Sequence, residues 1–139
     1  EMDKIEFFNV IAAEIFHRSL ETFPVPTEIN YDQIGDISRG YFTEVPTEEL
    51  FDVTVDSHNS AQHALFWLER EGFISISEKG FDSCYIVMTL KGLNAVNSVP
   101  KNIEPREPFI VALKKGVKSI GINAVPVMMT ELFRQAYAS

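Results

Sequence analysis

The spacing of apolar residues near the start of the chain predicts a long helix over residues 3–23. Apolar side chains recur there at intervals of three and four, the period of a buried helical stripe, at Ile5, Phe8, Ile11, Ala12, Ile15 and Phe23. Further apolar positions widen the stripe beyond one face, at Phe7, Val10, Phe16 and Leu20. We therefore expect this helix to be buried on two sides and to end before Pro24.

The pattern over residues 57–71 predicts the clearest helix of the chain. Asp56 or Ser57 provides a cap for its first turn, and Gly72 provides a residue that can end it. The predicted core face consists of Ala61, Ala64, Leu65 and Leu68, and the opposite face of Asn59, His63, Phe66 and Arg70, with Gln62 at its edge. Residues 25–47 are harder to interpret: they indicate a short helix over 31–38, and Thr47 is a candidate cap for another.

The second half of the chain predicts a β-hairpin followed by helices. Residues 73–76 and 85–88 are rich in β-formers and flank a polar connection that contains Gly80. Thr89 is predicted to cap a short helix that reaches about Ser98. We divide the chain into a first domain over 3–98, a linker over 99–108, and a C-terminal helical extension over 109–139. Within that extension, the pattern indicates helices at about 108–122 and 125–137.

Two short motifs in this part of the chain carry a resemblance to a known superfamily. Trp67 to Ile74 reads WLEREGFI, and Met88 to Leu93 reads MTLKGL. Together they resemble the L-E-x-E-G-[FLY]-I … L-T-x-K-G pattern of winged helix-turn-helix proteins, broadly the MarR/PadR-like bacterial regulators. The resemblance implies a mainly α fold with a small β-hairpin wing. It also implies N- and C-terminal helical extensions that join two copies into a homodimer.

The same resemblance implies a role in transcription regulation with double-stranded DNA as the partner. The helix over residues 57–71 would then enter the major groove. Asn59, Gln62 and His63 would lie near base edges or phosphates, and Arg70 and the wing residue Lys79 would supply positive charge. A DNA-binding transcriptional regulator is therefore the first functional hypothesis.

The distribution of charge favours a second hypothesis, a protein–protein interaction module that does not bind DNA. The chain has 12 basic and 20 acidic residues and a formal net charge of −8, whereas affinity for DNA comes largely from basic groups on phosphates. The predicted reading helix contains Arg70 as its only Arg or Lys. Phe66 lies in the middle of its outward face, where an aromatic ring suits a protein contact. In this alternative, Phe66 and an acidic surface bind the partner.

No pattern in the chain indicates catalysis, a cofactor or a metal site, and we expect no enzyme activity. His58 and His63 are five residues apart, which does not place them on one helical face, and His17 belongs to another helix. Cys84 has no evident basic neighbour that would activate it, so we interpret it as structural. Because the glycines are isolated, a phosphate-binding loop has little support.

The C-terminal extension combines a basic cluster with many large apolar residues. Lys114, Lys115 and Lys118 indicate either an anionic partner or the polar face of an amphipathic helix. The apolar residues that follow suggest a dimer seam, at Ile120, Ile122, Val125, Val127, Met128, Met129, Leu132 and Phe133. With one cysteine and no recognisable secretory signal, the sequence favours a cytoplasmic protein. No apolar run approaches the ~20 residues of a bilayer span, so we expect no membrane partner.

Overall fold

The computed structural model describes residues 4–42 and 50–138, with the side chains of residues 50–56 left out. These residues form seven helices and three strands, a mainly helical fold with a small antiparallel sheet. The helices are α1 (Lys4–Thr22), α2 (Tyr31–Gly40), α3 (Leu50–Arg70), α4 (Leu90–Asn97), α5 (Phe109–Lys115), α6 (Val117–Ile120) and α7 (Ala124–Ala138). The strands are β1 (Thr27–Asn30), β2 (Ile74–Ser77) and β3 (Ser83–Met88).

The sheet has the order β1-β3-β2, so the last strand in the chain lies in the middle. The predicted hairpin is confirmed: β2 and β3 pair antiparallel, with Ile76 opposite Ile86. The sequence did not predict β1, which pairs with β3 and places Ile29 opposite Cys84. A four-residue strand whose partner is distant in sequence leaves no periodic signal, and its formation depends on the tertiary contact.

Helix α1 lies at the centre of the fold. It packs against α2, α3, α5 and α7, and Val10, Ile11, Ile15 and Phe16 on it are fully buried. Most of the apolar positions that the sequence predicted are thus covered within one chain, whereas Ile5 and Phe23 at the two ends are exposed. No helix of the described residues is long and apolar enough to cross a membrane.

The predicted start of the clearest helix is wrong, although its predicted core face is confirmed. Ala61, Ala64, Leu65 and Leu68 are all buried, but α3 already begins at Leu50. Ser57, predicted as a cap, lies inside the helix and is buried. Helix α2 crosses α3 at this point, and the crossing requires a glycine at position 35, because a Cβ there would meet the Ser57 backbone. The predicted cap at Thr47 lies outside the described residues.

The two motif segments meet where the chain leaves α3. Gly72, at φ +89°, ends the helix in a Schellman motif, in which the Phe73 N–H donates to the Leu68 carbonyl over 2.9 Å. The Thr89 hydroxyl donates to the Gly72 carbonyl at 2.5 Å and accepts from the Gly92 N–H at 3.0 Å, which confirms Thr89 as the cap of α4. Gly92 packs directly on the Phe73 carbonyl, where a side chain has no room. Both motifs therefore build one structural junction.

Helices α5, α6 and α7, which form the C-terminal extension, pack against α1, and α5 and α7 also contact α4. The first predicted helix is divided at Gly116, which has a φ of +99°, and Pro126 lies in the first turn of α7. Most of the apolar residues proposed for a dimer seam are buried inside the chain, at Val125, Met128, Met129, Leu132 and Phe133, whereas Val127 is exposed. The linker is attached to α7, because the Lys101 N–H donates to Gln135 and the Asn102 N–H to Glu131.

The crossing of α2 and α3 predicts a sharp difference between two glycines of the same helix. A Cβ at position 35 would lie 2.5 Å from the Ser57 carbonyl oxygen, whereas a Cβ at position 40 would have no neighbour within 4 Å. We expect Gly35→Ala to lower the free energy of unfolding by about 1–3 kcal/mol, because the helices must move apart. We expect Gly40→Ala to change it by less than about 1 kcal/mol. Urea denaturation measures both, and equal stability of the two variants would contradict this crossing.

Candidate interaction surface beside α3

An open cleft of about 910 Å³ runs along the exposed flank of α3. On one side it is lined by the first turns of α1, with Lys4, Phe7 and Phe8. On the other side it follows α3 from Ser57 to Arg70, a length of about 20 Å at the helical rise per residue. We refer to this surface as the α3 cleft. It is formed where α1 and α3 pack together, so its walls belong to the core of the fold.

Aromatic side chains form the apolar part of the α3 cleft and are held in place by the core beneath them. Trp67 and Phe8 meet edge to face, with ring centroids 5.1 Å apart. Behind them, Trp67 contacts Phe133 of α7 at 5.5 Å and stacks on Phe73 at 6.3 Å. Trp67 and Phe8 are only partly buried, so an apolar surface of fixed shape is presented to solvent.

Four of the six residues that the sequence singled out line this cleft. Asn59, His63 and Arg70 are exposed and lie along it together with Phe66. Gln62 is half-buried and does not line it. Phe66, predicted at the centre of the outward face, is half-buried. The helical period therefore identified one side of the site.

The wing residue Lys79 is bound to α3. Its Nζ lies 2.9 Å from Glu69 Oε1 and 5.2 Å from the centroid of the Phe66 ring. The cation that the resemblance assigned to a phosphate is thus paired with a carboxylate of the same chain. The pair also connects the hairpin to the helix, and it covers part of Phe66.

The α3 cleft is locally positive on a strongly acidic protein. Lys4, His63 and Arg70 line it, and no Asp or Glu is found among the described residues that do so. The chain as a whole has a formal charge of −8. Anionic groups are therefore favoured at this surface over the remainder of the molecule.

Sequence reasoning missed the α1 side of the cleft and the tip of the hairpin. Phe7 and Phe8 were assigned to a buried stripe, and nothing in the spacing shows that they reach the edge of the core. Phe81 is 92% exposed at the hairpin tip, between β2 and β3. An isolated aromatic residue in a polar connection was the signal for it. Phe81 does not line the α3 cleft.

Two of the histidines have partners that account for their positions. His17 Nδ1 donates to the Leu113 carbonyl over 2.8 Å, which ties α1 to α5. His58 Nδ1 lies 2.6 Å from Asp32 Oδ1 and connects α3 to α2. No group of three or more His, Cys, Asp or Glu side chains suited to a metal ion occurs in residues 4–42 and 57–138.

Other candidate features lie away from the α3 cleft. Lys114, Lys115 and Lys118 are exposed on α5 and α6. Lys115 borders a second, largely apolar cavity of about 500 Å³ between the linker and α5–α7. Glu104 and Glu107 border the same cavity, so it has no single charge preference.

Comparison of the chain with protein-family models, with curated proteins and with solved structures gave no match. The surfaces of the protein itself are therefore the basis on which its function is inferred.

The environment of Cys84 predicts an unreactive thiol. Cys84 is fully buried beside Tyr31, and burial raises the pKa of the thiol, which more than offsets the hydrogen bond from Tyr31. The folded protein should react with Ellman's reagent at pH 8 much more slowly than the protein in urea, because both access and the thiolate fraction are reduced. Since Cys84 is the only cysteine, the released chromophore reports on it alone. Rapid labelling of the folded protein would contradict a structural role.

Proposed function

We propose that this protein is a winged-helix module that binds a segment of another protein through the α3 cleft. The order helix, strand, helix, helix, hairpin supports the winged-helix architecture, as does a sheet in which the last strand is central. In such a fold α3 takes the position of the recognition helix and the β2–β3 hairpin that of the wing. The fold alone does not decide the ligand, because one fold serves many functions.

The observation that carries the proposal is the aromatic lining of the α3 cleft. Phe8, Phe66 and Trp67 present partly buried rings along this open cleft, which has a volume of about 910 Å³. Rings that are fixed by a core and open to solvent are typical anchoring sites for a partner side chain. Polar groups at Asn59, His63 and Arg70 surround these rings and provide hydrogen bonds and charge.

Charge supports a protein partner over duplex DNA. The sequence of α3 contains Asp52, Asp56 and Glu69 against the single base Arg70. In the wing, Lys79 is paired with Glu69, and the connection also carries Glu78 and Asp82. With Lys79 paired, Lys4 and Arg70 are the two Lys or Arg residues that line the α3 cleft among the described residues. Duplex DNA normally requires more phosphate contacts from basic residues than these two can supply.

A DNA-binding transcriptional regulator is the second candidate, supported by the polar edge of α3. Asn59, His63 and Arg70 are exposed along one side of the helix that would enter the major groove. The homodimer, which a regulator of this kind would use to read two half-sites, stays a prediction, as does the cytoplasmic location.

A peptide selection distinguishes a specific peptide-binding cleft from a surface that binds peptides non-specifically. Selection of a random displayed peptide library on the protein should enrich sequences that bind the wild type. Those peptides should bind Phe66→Ala about tenfold or more weakly, because an anchoring ring is removed. The matched control is Phe81→Ala, which removes an exposed ring outside the cleft and should leave binding unchanged. Enrichment of peptides that depend equally on both rings, or no enrichment, would contradict the proposal.

Binding to duplex DNA tests the alternative function. A pool of random duplex DNA should show no saturable binding at low salt if the α3 cleft serves proteins. If binding is found and falls steeply with salt, the regulator is the better reading, and Arg70→Ala should lower the salt slope by about 1. Lys79→Ala should then have the smaller effect, because the charge of Lys79 is already paired with Glu69. Electrophoretic mobility shifts at several salt concentrations make this measurement.

A further inference from the structure

We propose that the segment bound in the α3 cleft is an acidic amphipathic helix of a partner protein. This inference rests on the proposed function and adds the chemistry of the partner. Three properties of the cleft support it: its charge, its length and the arrangement of its rings.

Charge complementarity identifies an acidic occupant. Lys4 and Arg70 are exposed cations on the two walls of the cleft, and His63 lies on the same wall as Arg70. Neither Lys4 nor Arg70 has a carboxylate within 4 Å among the described residues. Lys79, by contrast, is already paired with Glu69. Within the described part of the chain, the charges of Lys4 and Arg70 are thus not neutralised by an ion pair, and carboxylates of a partner can neutralise them.

The length of the cleft suits a short helix. The stretch of α3 from Ser57 to Arg70 is about 20 Å long, which corresponds to roughly 13 residues of a bound helix. The rings of Phe8, Phe66 and Trp67 offer contacts for apolar side chains that repeat at i, i+3/i+4 and i+7. The positions that flank this apolar face would carry acidic residues, which would meet Lys4 and Arg70 on the two walls of the cleft.

The remaining acids of the protein set the conditions for the experiment. A formal charge of −8 repels an acidic peptide at long range, and this repulsion is screened over about 8 Å at physiological ionic strength. Contacts at ion-pair distance inside the cleft are screened less. Binding is therefore best measured near 0.15 M salt.

The probes are two synthetic peptides of about 16 residues with identical Leu and Phe anchors at helical spacing. One peptide has Glu at its polar positions, the other has Lys, and neither contains Trp. Trp67 is the single tryptophan of the protein and lines the cleft, so its emission reports directly on occupancy. We expect the Glu peptide to change this emission saturably and to bind about tenfold or more tightly than the Lys peptide.

Charge reversal in the cleft tests the assignment. Arg70→Glu should abolish or invert the preference for the Glu peptide, and Lys4→Glu should reduce it independently. Both residues are exposed, so each variant should fold, and circular dichroism is the check on this. The control Lys114→Glu makes the same change of charge on α5, outside the cleft, and should retain the preference.

The outcomes separate this inference from the proposed function. If the Lys peptide binds as tightly as the Glu peptide, or if Arg70→Glu behaves like Lys114→Glu, the acidic helix is wrong. Peptides from the library that depend on Phe66 would in that case still support a protein-binding cleft. If neither synthetic peptide changes the emission of Trp67 and the library yields no binder, both proposals are wrong.

Discussion

The rest of the structure depends on the way the chain leaves α3 at Gly72 and Phe73. The Schellman turn reverses the chain there, and the Phe73 carbonyl then accepts from the Thr89 N–H over 3.1 Å. That single carbonyl thus fixes the end of β3, the start of α4 and the direction of the hairpin. The Phe73 ring, fully buried, lies against Phe16 and Phe133 and under the Lys91 ammonium group at 4.8 Å.

The α3 cleft is a product of this arrangement, with α7 as its support. Phe133 contacts Phe8, Trp67 and Phe73, so a residue of α7 fixes the rings of a surface formed by α1 and α3. At the end of α7, the Tyr137 hydroxyl donates to Glu71 of the α3 terminus. The extension therefore supports the rings of the α3 cleft from behind, although none of its described residues lines the cleft.

Features of the fold and of the α3 cleft could be predicted from the sequence where they depend on residues close together in the chain. The core face of α3, the hairpin and the Thr89 cap follow from helical period, β-propensity and capping chemistry, all of which act within a few residues. The start of α3 was missed because Asp56 and Ser57 are good capping residues in isolation, whereas the approach of α2 at Gly35 to the buried Ser57 is a tertiary contact. Lys79 was assigned to a phosphate because its partner, Glu69, lies on another element. The contribution of α1 to the cleft was missed because it depends on contacts with α3, which the spacing of apolar residues in α1 does not show.

Three residues of the motif that resembles the winged-helix pattern hold the junction together through contacts with backbone atoms. Gly72, Thr89 and Gly92 contact carbonyls and N–H groups, and none of them lines the α3 cleft. The residues that hold the junction together are thus different from those that line the α3 cleft, although the two sets lie close together in the sequence. Substitutions on the outer side of α3 can therefore change what this surface binds without altering the contacts that hold the junction together. A sequence pattern confined to the junction accordingly carries information about the architecture, whereas the ligand has to be found from the α3 surface itself.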